Sequence, residues 1–155
     1  MVIALALGMV AALCKLSKIW ILDFGAGVYT TVIRGVPELV LILLVYYGGP
    51  TLIQDAGGFF GYDVYVDLNP FFAGSMTIGF IYGAFATEVF RGAFMAVSRG
   101  QLEAARACGM NSVMTFRRIQ LPQMWRFAIP GLGNIWMVLI KATALISVIQ
   151  LPELM

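Results

Sequence analysis

The chain has 155 residues, of which 61% are hydrophobic and 12% charged, with ten Lys/Arg against eight Asp/Glu for a net charge of +2. Soluble domains run at about 45–50% apolar and about 25% charged residues, so this composition excludes an ordinary water-soluble globule and points to a membrane protein. So small a net charge gives no reason to expect a nucleic acid, and two cysteines, Cys14 and Cys108, with no histidine and no CxxC pair, exclude a disulfide scaffold and a zinc motif.

Residues 1–14 carry no charge. That is short for a span, because crossing a hydrocarbon core of about 30 Å takes roughly 20 apolar residues. A signal peptide does not fit, since Lys15 and Lys18 follow the apolar run instead of preceding it and no Ala-x-Ala site comes before them. The segment reads as the exit end of a membrane helix, with a signal anchor or a partly buried segment as alternatives. Residues 39–54 are again uncharged. They reach span length if the helix begins early, near Tyr29 or Gly35, which gives an expected span of 31–54 with Arg34 and Glu38 in its first turns. Pro37 is tolerated there because a first-turn proline has no intrahelical N–H bond to lose.

Residues 55–67 are rich in glycine and aromatic residues and hold three acids and no base. They read as a loop with its rings near headgroup level. Residues 68–87 then run twenty positions without a charge, and the expected span is 70–92, with Glu88 and Arg91 at its end. Gly74, Gly79 and Gly83, continued by Ala84 and Ala86, predict a helix packed on protein, because small side chains let helix backbones approach closely in lipid. Residues 127–152 carry one charge, Lys141, and give a last expected span of 126–149.

Charge between the spans sets the orientation. Residues 15–34 hold three bases and Asp23, and residues 91–126 hold six arginines and Glu103. Short basic connections stay in the cytoplasm, so these two segments face inward, while residues 55–67 and the end at Glu153 face outward. The whole chain, 1–155, reads as one all-α polytopic membrane helix bundle with a cytoplasmic loop at 93–125.

In that loop, residues 101–110 have helical composition, and Gly109 is placed to end the helix in a left-handed conformation. Leu102, Ala105 and Gly109 fall on one side, with Ala104 and Cys108 beside them. Met114, Phe116, Ile119 and Leu121 are apolar anchors before Pro122, and Trp125 sits where the chain re-enters the membrane. On these grounds alone it reads equally as an ordinary loop held against a bundle. No catalytic constellation is legible: there is no histidine, no aspartate dyad in a span and no base beside Ser75, and no GxxxxGK[ST] loop for nucleotide hydrolysis.

Glu103-Ala104-Ala105, then Gly109, Ile119 and Leu121-Pro122, resembles the EAA loop of permease subunits of type I ABC importers. Three more stretches are similar to the permeases of polar amino acid importers: Tyr29 to Leu39 with Arg34, Gly35 and Pro37; Tyr82 to Ala93 with Glu88 and Arg91; and Ala128 to Asn134, continued from Lys141. Among these they look most like the Q-type permeases of histidine/lysine–arginine–ornithine or opine importers. The resemblance implies the type I permease fold, usually of five membrane helices, so that this chain would be truncated at both ends. It further implies a coupling helix seated in a cleft of a cytoplasmic ATP-binding cassette subunit, present in two copies. Glu103 would meet that ATPase, Ala104 and Ala105 would allow close seating, and Gly109 would turn the chain out of the cleft.

The partners implied are a second permease copy or paralogue, a periplasmic or extracellular solute-binding protein, and the lipid of a bacterial inner membrane. The solutes would be polar, foremost basic, amino acids or opines. Arg34, Gly35, Pro37, Glu88, Arg91, Asn134 and Lys141 are then candidates for translocation or packing, and no cofactor or metal and no enzymatic activity is implied. A membrane subunit with a purely structural or regulatory role is the competing reading.

Overall fold

The computed structural model describes residues 1–50 and 70–150, with side chains for 1–45, 48–50 and 74–142. The expected outer loop at 55–67, the end of the 31–54 span and Glu153 lie outside the described residues. Every regular element among those described is helical: α1 (Val2–Leu16), α2 (Trp20–Gly35), α3 (Glu38–Leu43), α4 (Pro70–Ala96), α5 (Arg99–Ala107), α6 (Ser112–Thr115) and α7 (Leu121–Gln150). A π-helical turn at Leu44–Gly48 prolongs α3, and a second at Phe116–Gln120 joins α6 to α7.

The bundle is organised around α4, with α1 on one flank and α7 on another. On α1, Ala4, Gly8 and Ala12 recur every four residues and are all buried. They form one stripe of small side chains, and α4 meets it with small residues of its own. A Cβ added at Gly8 would lie 2.5 Å from Ala86 Cβ and 3.1 Å from the Ala86 carbonyl carbon. At Gly79 it would approach Ile3 Cγ2 to 3.0 Å, and at Gly83 the Tyr29 hydroxyl to 2.8 Å. Small residues on both helices allow this close crossing, as the glycine spacing on α4 predicts. On the other flank, Met124, Ala128, Leu132, Ile135, Leu139 and Ala142 of α7 are buried at intervals of three and four. There Gly131 leaves room for Val89, whose Cγ1 would stand 2.7 Å from an added Cβ.

Two local features differ from the sequence reading. Residues 20–35, expected to be a connection, form α2, and the second span does not begin continuously at 31. Proline disfavours the helical conformation of the residue before it. Val36 is accordingly extended, at φ −107° and ψ 136°, and the helix resumes only after Pro37. Arg34 and Glu38, expected in the first turns of one helix, therefore lie on opposite sides of a break. Pro122 is absorbed differently. It sits in the first turn of α7 just after the π-turn, in which Leu121 N–H donates to Phe116 O; the wider turn carries the chain past a residue that has no N–H.

Among the described residues no single helix is long and apolar enough to cross a membrane, although Gly74–Ala96 together with Arg99–Ala107, bent by 57°, reaches that length and hydropathy as a pair.

Candidate functional site

The bend after α4 sets up the first candidate region. Val97 is buried and Ser98 extends the chain before α5 begins at Arg99. At the far end Cys108 is the C-cap, and Gly109 takes φ +81°, the one positive φ among the described residues. Gly109 N–H donates to Arg106 O at 2.9 Å and Met110 N–H to Ala105 O at 3.1 Å. These two bonds make a Schellman motif, which satisfies the last carbonyls of α5 and requires a left-handed residue at the position Gly109 holds. Asn111 then starts α6, its side-chain oxygen accepting from Met114 N–H at 2.8 Å. Stacking of Phe94 on Phe116 at 6.1 Å and an edge contact of Phe90 with Trp125 at 5.7 Å tie the return segment to α4.

Within α5 the two alanines have different environments. Ala105 is 5% exposed and faces the chain's own return segment, beside the half-buried Leu102, whereas Glu103, Ala104 and Arg106 are exposed. Within the chain, Ala105 seats α5 on its own return segment, and Ala104 is left exposed. An open cavity of about 380 Å³ is lined by Ala104, Ala105 and Cys108 together with Met110, Ile119 and Gln123. Ile119 and Leu121 are half-buried and Pro122 is exposed. Gly109 is exposed, and an added Cβ there would meet nothing within 4 Å.

The second region is a charge cluster joining three helices. Glu88 of α4 accepts from Lys15 of α1 at 2.6 Å on one oxygen and from Arg91 at 2.9 Å on the other. Lys15 also donates to Thr30 Oγ1 of α2 at 2.7 Å. The Lys15 and Glu88 side chains are 15% and 19% exposed, so the pair is largely withdrawn from solvent, where an unpaired charge would be costly. Around it, Tyr29 donates to Phe80 O at 2.6 Å, Tyr82 donates to Glu38 Oε1 at 2.9 Å, and the Arg34 guanidinium lies 5.3 Å above the Phe85 ring.

The structure thus gathers Arg34, Glu38, Glu88 and Arg91 at one end of the bundle, with Gly35 and Pro37 exposed beside them. It does not bring Asn134 or Lys141 there. Both are exposed on α7, seven residues apart on the side away from its buried stripe. Lys15 and Thr30 were not candidate site residues in the sequence, and Tyr29 and Tyr82 entered only as the first residues of longer stretches. Lys15 reads as a charge that closes an apolar run and marks the inward side, and nothing local couples it to an acid 73 positions later.

A family profile described as the binding-protein-dependent transport system inner membrane component matches residues 4–155. The chain belongs to this family. As a member of that inner membrane family it is similar to the histidine/lysine/arginine/ornithine transport system permease protein HisQ of Salmonella typhimurium, at 49% identity over 152 residues, covering 98% of this chain and 66% of HisQ. It is also 49% identical over 149 residues to the nopaline transport system permease protein NocQ of Agrobacterium fabrum, covering 96% of this chain and 63% of that protein. The crystal structure of an amino acid ABC transporter with histidines superposes with a TM-score of 0.79 at 36% identity, over 96% of this chain and 64% of that one. The chain therefore spans slightly less than two thirds of the length of these relatives, and its all-α arrangement is that of a membrane helix bundle.

Proposed function

We propose that this chain is the membrane-spanning permease part of an ATP-driven importer for polar, foremost basic, amino acids or opines, and that it performs no chemistry itself. The observation that carries this reading is α5: a short helix just after the C-terminal end of α4, closed by the left-handed Gly109, with Glu103 and Ala104 exposed. The Schellman motif closes α5, and aromatic contacts hold its return segment on α4, a firm mounting of the kind coupling to a partner requires. Likeness to permeases whose names state histidine, lysine, arginine, ornithine and nopaline supports the solute class.

In this reading α5 docks on a cytoplasmic ATP-binding cassette subunit, two of which serve a pair of permeases, and an extracytoplasmic binding protein delivers solute. The membrane segments are α1, the stretch from α3 onward, α4 and α7, and the connections at 15–34, which include α2, and at 93–125 face the cytoplasm of a bacterial inner membrane. Asn134 and Lys141, on the open face of α7, are candidates to line the passage.

Expression of the full-length protein with its neighbouring ATPase and binding-protein genes, followed by uptake of labelled arginine, histidine and octopine, tests the proposal. ATP-dependent accumulation of at least one is expected. Loss of ATPase copurification without any uptake defect in a variant lacking residues 101–108 would reject coupling through α5.

A further inference from the structure

Amphipathic α2 is not used by the transport reading. Trp20, Phe24, Val28 and Val32 recur every four residues along it and are exposed, joined by Ile21; Trp20 and Ile21 are 74% and 72% open, and Trp20 stacks on Phe24 at 5.6 Å. Thr30, on its other side, is buried against α1 and α4. With 16 residues α2 is about 24 Å long at 1.5 Å per residue. That is short of a hydrocarbon core of about 30 Å. It also carries Asp23 and Arg34, with Lys18 just ahead of it. A helix with one apolar face and basic flanks lies in the plane of the interface, its apolar face among acyl chains and its cations at headgroup depth.

Beside the C-terminal half of this helix opens a cavity of about 400 Å³ lined by Lys15, Thr30, Thr31, Arg34, Gly35 and Glu88. Glu88 is the one acid of that lining, and both its oxygens are already engaged, by Lys15 and Arg91. Two cations, Lys15 and Arg34, against one carboxylate leave the lining with an excess of one positive charge, and with Lys15 ion-paired to Glu88 that excess sits at Arg34. Thr31 adds an exposed hydroxyl, and an added Cβ at Gly35 would meet nothing within 4 Å, so the mouth of the cavity is open. A cation-lined opening next to an exposed apolar stripe matches an amphiphile with a phosphate head and hydrocarbon tails.

We infer that this cavity holds the phosphate headgroup of an anionic phospholipid, with the acyl chains lying along Trp20, Phe24, Val28 and Val32. The site anchors α2, and through Lys15 and Glu88 the ends of α1 and α4, to the surface of the bilayer. The inference rests on membrane residence alone and is independent of coupling to an ATPase.

Trp20 reports the site directly. The full-length protein, with Trp125, Trp136 and any further tryptophan replaced by phenylalanine, is placed in nanodiscs containing acyl-brominated phosphatidylglycerol or acyl-brominated phosphatidylcholine at equal mole fraction. Phosphatidylglycerol should quench Trp20 with about a fivefold association preference, the effect of one added basic contact near the surface. Arg34→Gln should bring the preference close to one, and Arg34→Lys should retain most of it. The headgroup comparison on the unmodified Arg34 protein decides the matter even if Arg34→Gln fails to fold. Equal quenching by both lipids overturns the inference, and quenching by neither shows that protein covers the stripe and overturns it as well. If inorganic phosphate at matched ionic strength abolishes the preference, the cavity takes a free anion and the assignment to lipid falls.

Discussion

At Gly109 the demand on the residue is conformational, because its φ of +81° is forced by the Schellman bonds while an added side chain would meet nothing of the chain itself. A non-glycine residue in the left-handed region costs about 1–2 kcal/mol, and asparagine less than most. Gly109→Leu should therefore lower the stability of the loop by about that amount while leaving membrane insertion intact. If α5 seats in a close-fitting cleft, Gly109→Asn should also lose part of its ATPase attachment; full attachment and full uptake in both variants would remove the coupling role. The neighbouring alanines provide a second, independent comparison. Ala104→Leu adds bulk on the open side and should weaken ATPase copurification without moving the unfolding midpoint. Ala105→Leu adds it where Ala105 is 5% exposed and should cost about 1–3 kcal/mol by overpacking, read as a lower midpoint in detergent. An opposite pattern would invert the assignment of the two faces.

Between elements, the crossing of α1 on α4 depends on what is missing from Gly8. With Ala86 Cβ at 2.5 Å from an added Cβ, and backbone atoms of Ala86 and Thr87 at 3.1 Å, even one methyl group forces the helices apart. Gly8→Ala should lower thermal stability by about 1–3 kcal/mol, and Gly8→Val by more. Gly25→Ala in α2, where an added Cβ meets nothing within 4 Å, is the counter-case. It should stabilise by about 0.5–1 kcal/mol through helix propensity alone, and a loss of equal size at both sites would refute close packing as the cause. On α4 the run Gly79, Gly83, Ala84 and Ala86 was legible in the sequence because its spacing is itself the packing signal, whereas the matching stripe Ala4, Gly8 and Ala12 of α1 was not read. The EAA segment was legible for the same reason, as a local pattern fixed by one helix and its cap. What could not be read was set by distant partners: which alanine faces inward depends on how the return segment folds over α5, and the pairing of Lys15 with Glu88 links residues 73 apart. Helix α2 was missed because its charges were read for orientation, while its apolar spacing at Trp20, Phe24, Val28 and Val32 was the stronger evidence.

Across the whole molecule, the charges collect toward one end. Lys15 closes α1, Arg34 closes α2, Glu88 and Arg91 lie in the last turns of α4, and α5 with the arginines at 117 and 118 follows immediately. Lys141 stands fifteen residues beyond Arg126 on α7, about 22 Å further along the axis. One basic end and one distant lysine fit a bundle whose cytoplasmic side carries α5, since bases in short connections are held on that side. A cysteine pair tests this in the full-length protein after removal of Cys14 and Cys108, the second of which is exposed and would otherwise react. Gly57→Cys should label with an impermeant maleimide added to intact spheroplasts, whereas Ser112→Cys should label only after the membrane is permeabilised. Ser112 is exposed, so lack of reaction in intact cells would reflect its side of the membrane and not burial, a point checked by its labelling in detergent. Reaction of both positions from outside would place α5 away from any cytoplasmic ATPase, and the coupling assignment would fall with it. The lipid site beside Arg34 would survive that result, because a bilayer presents phosphate on either face.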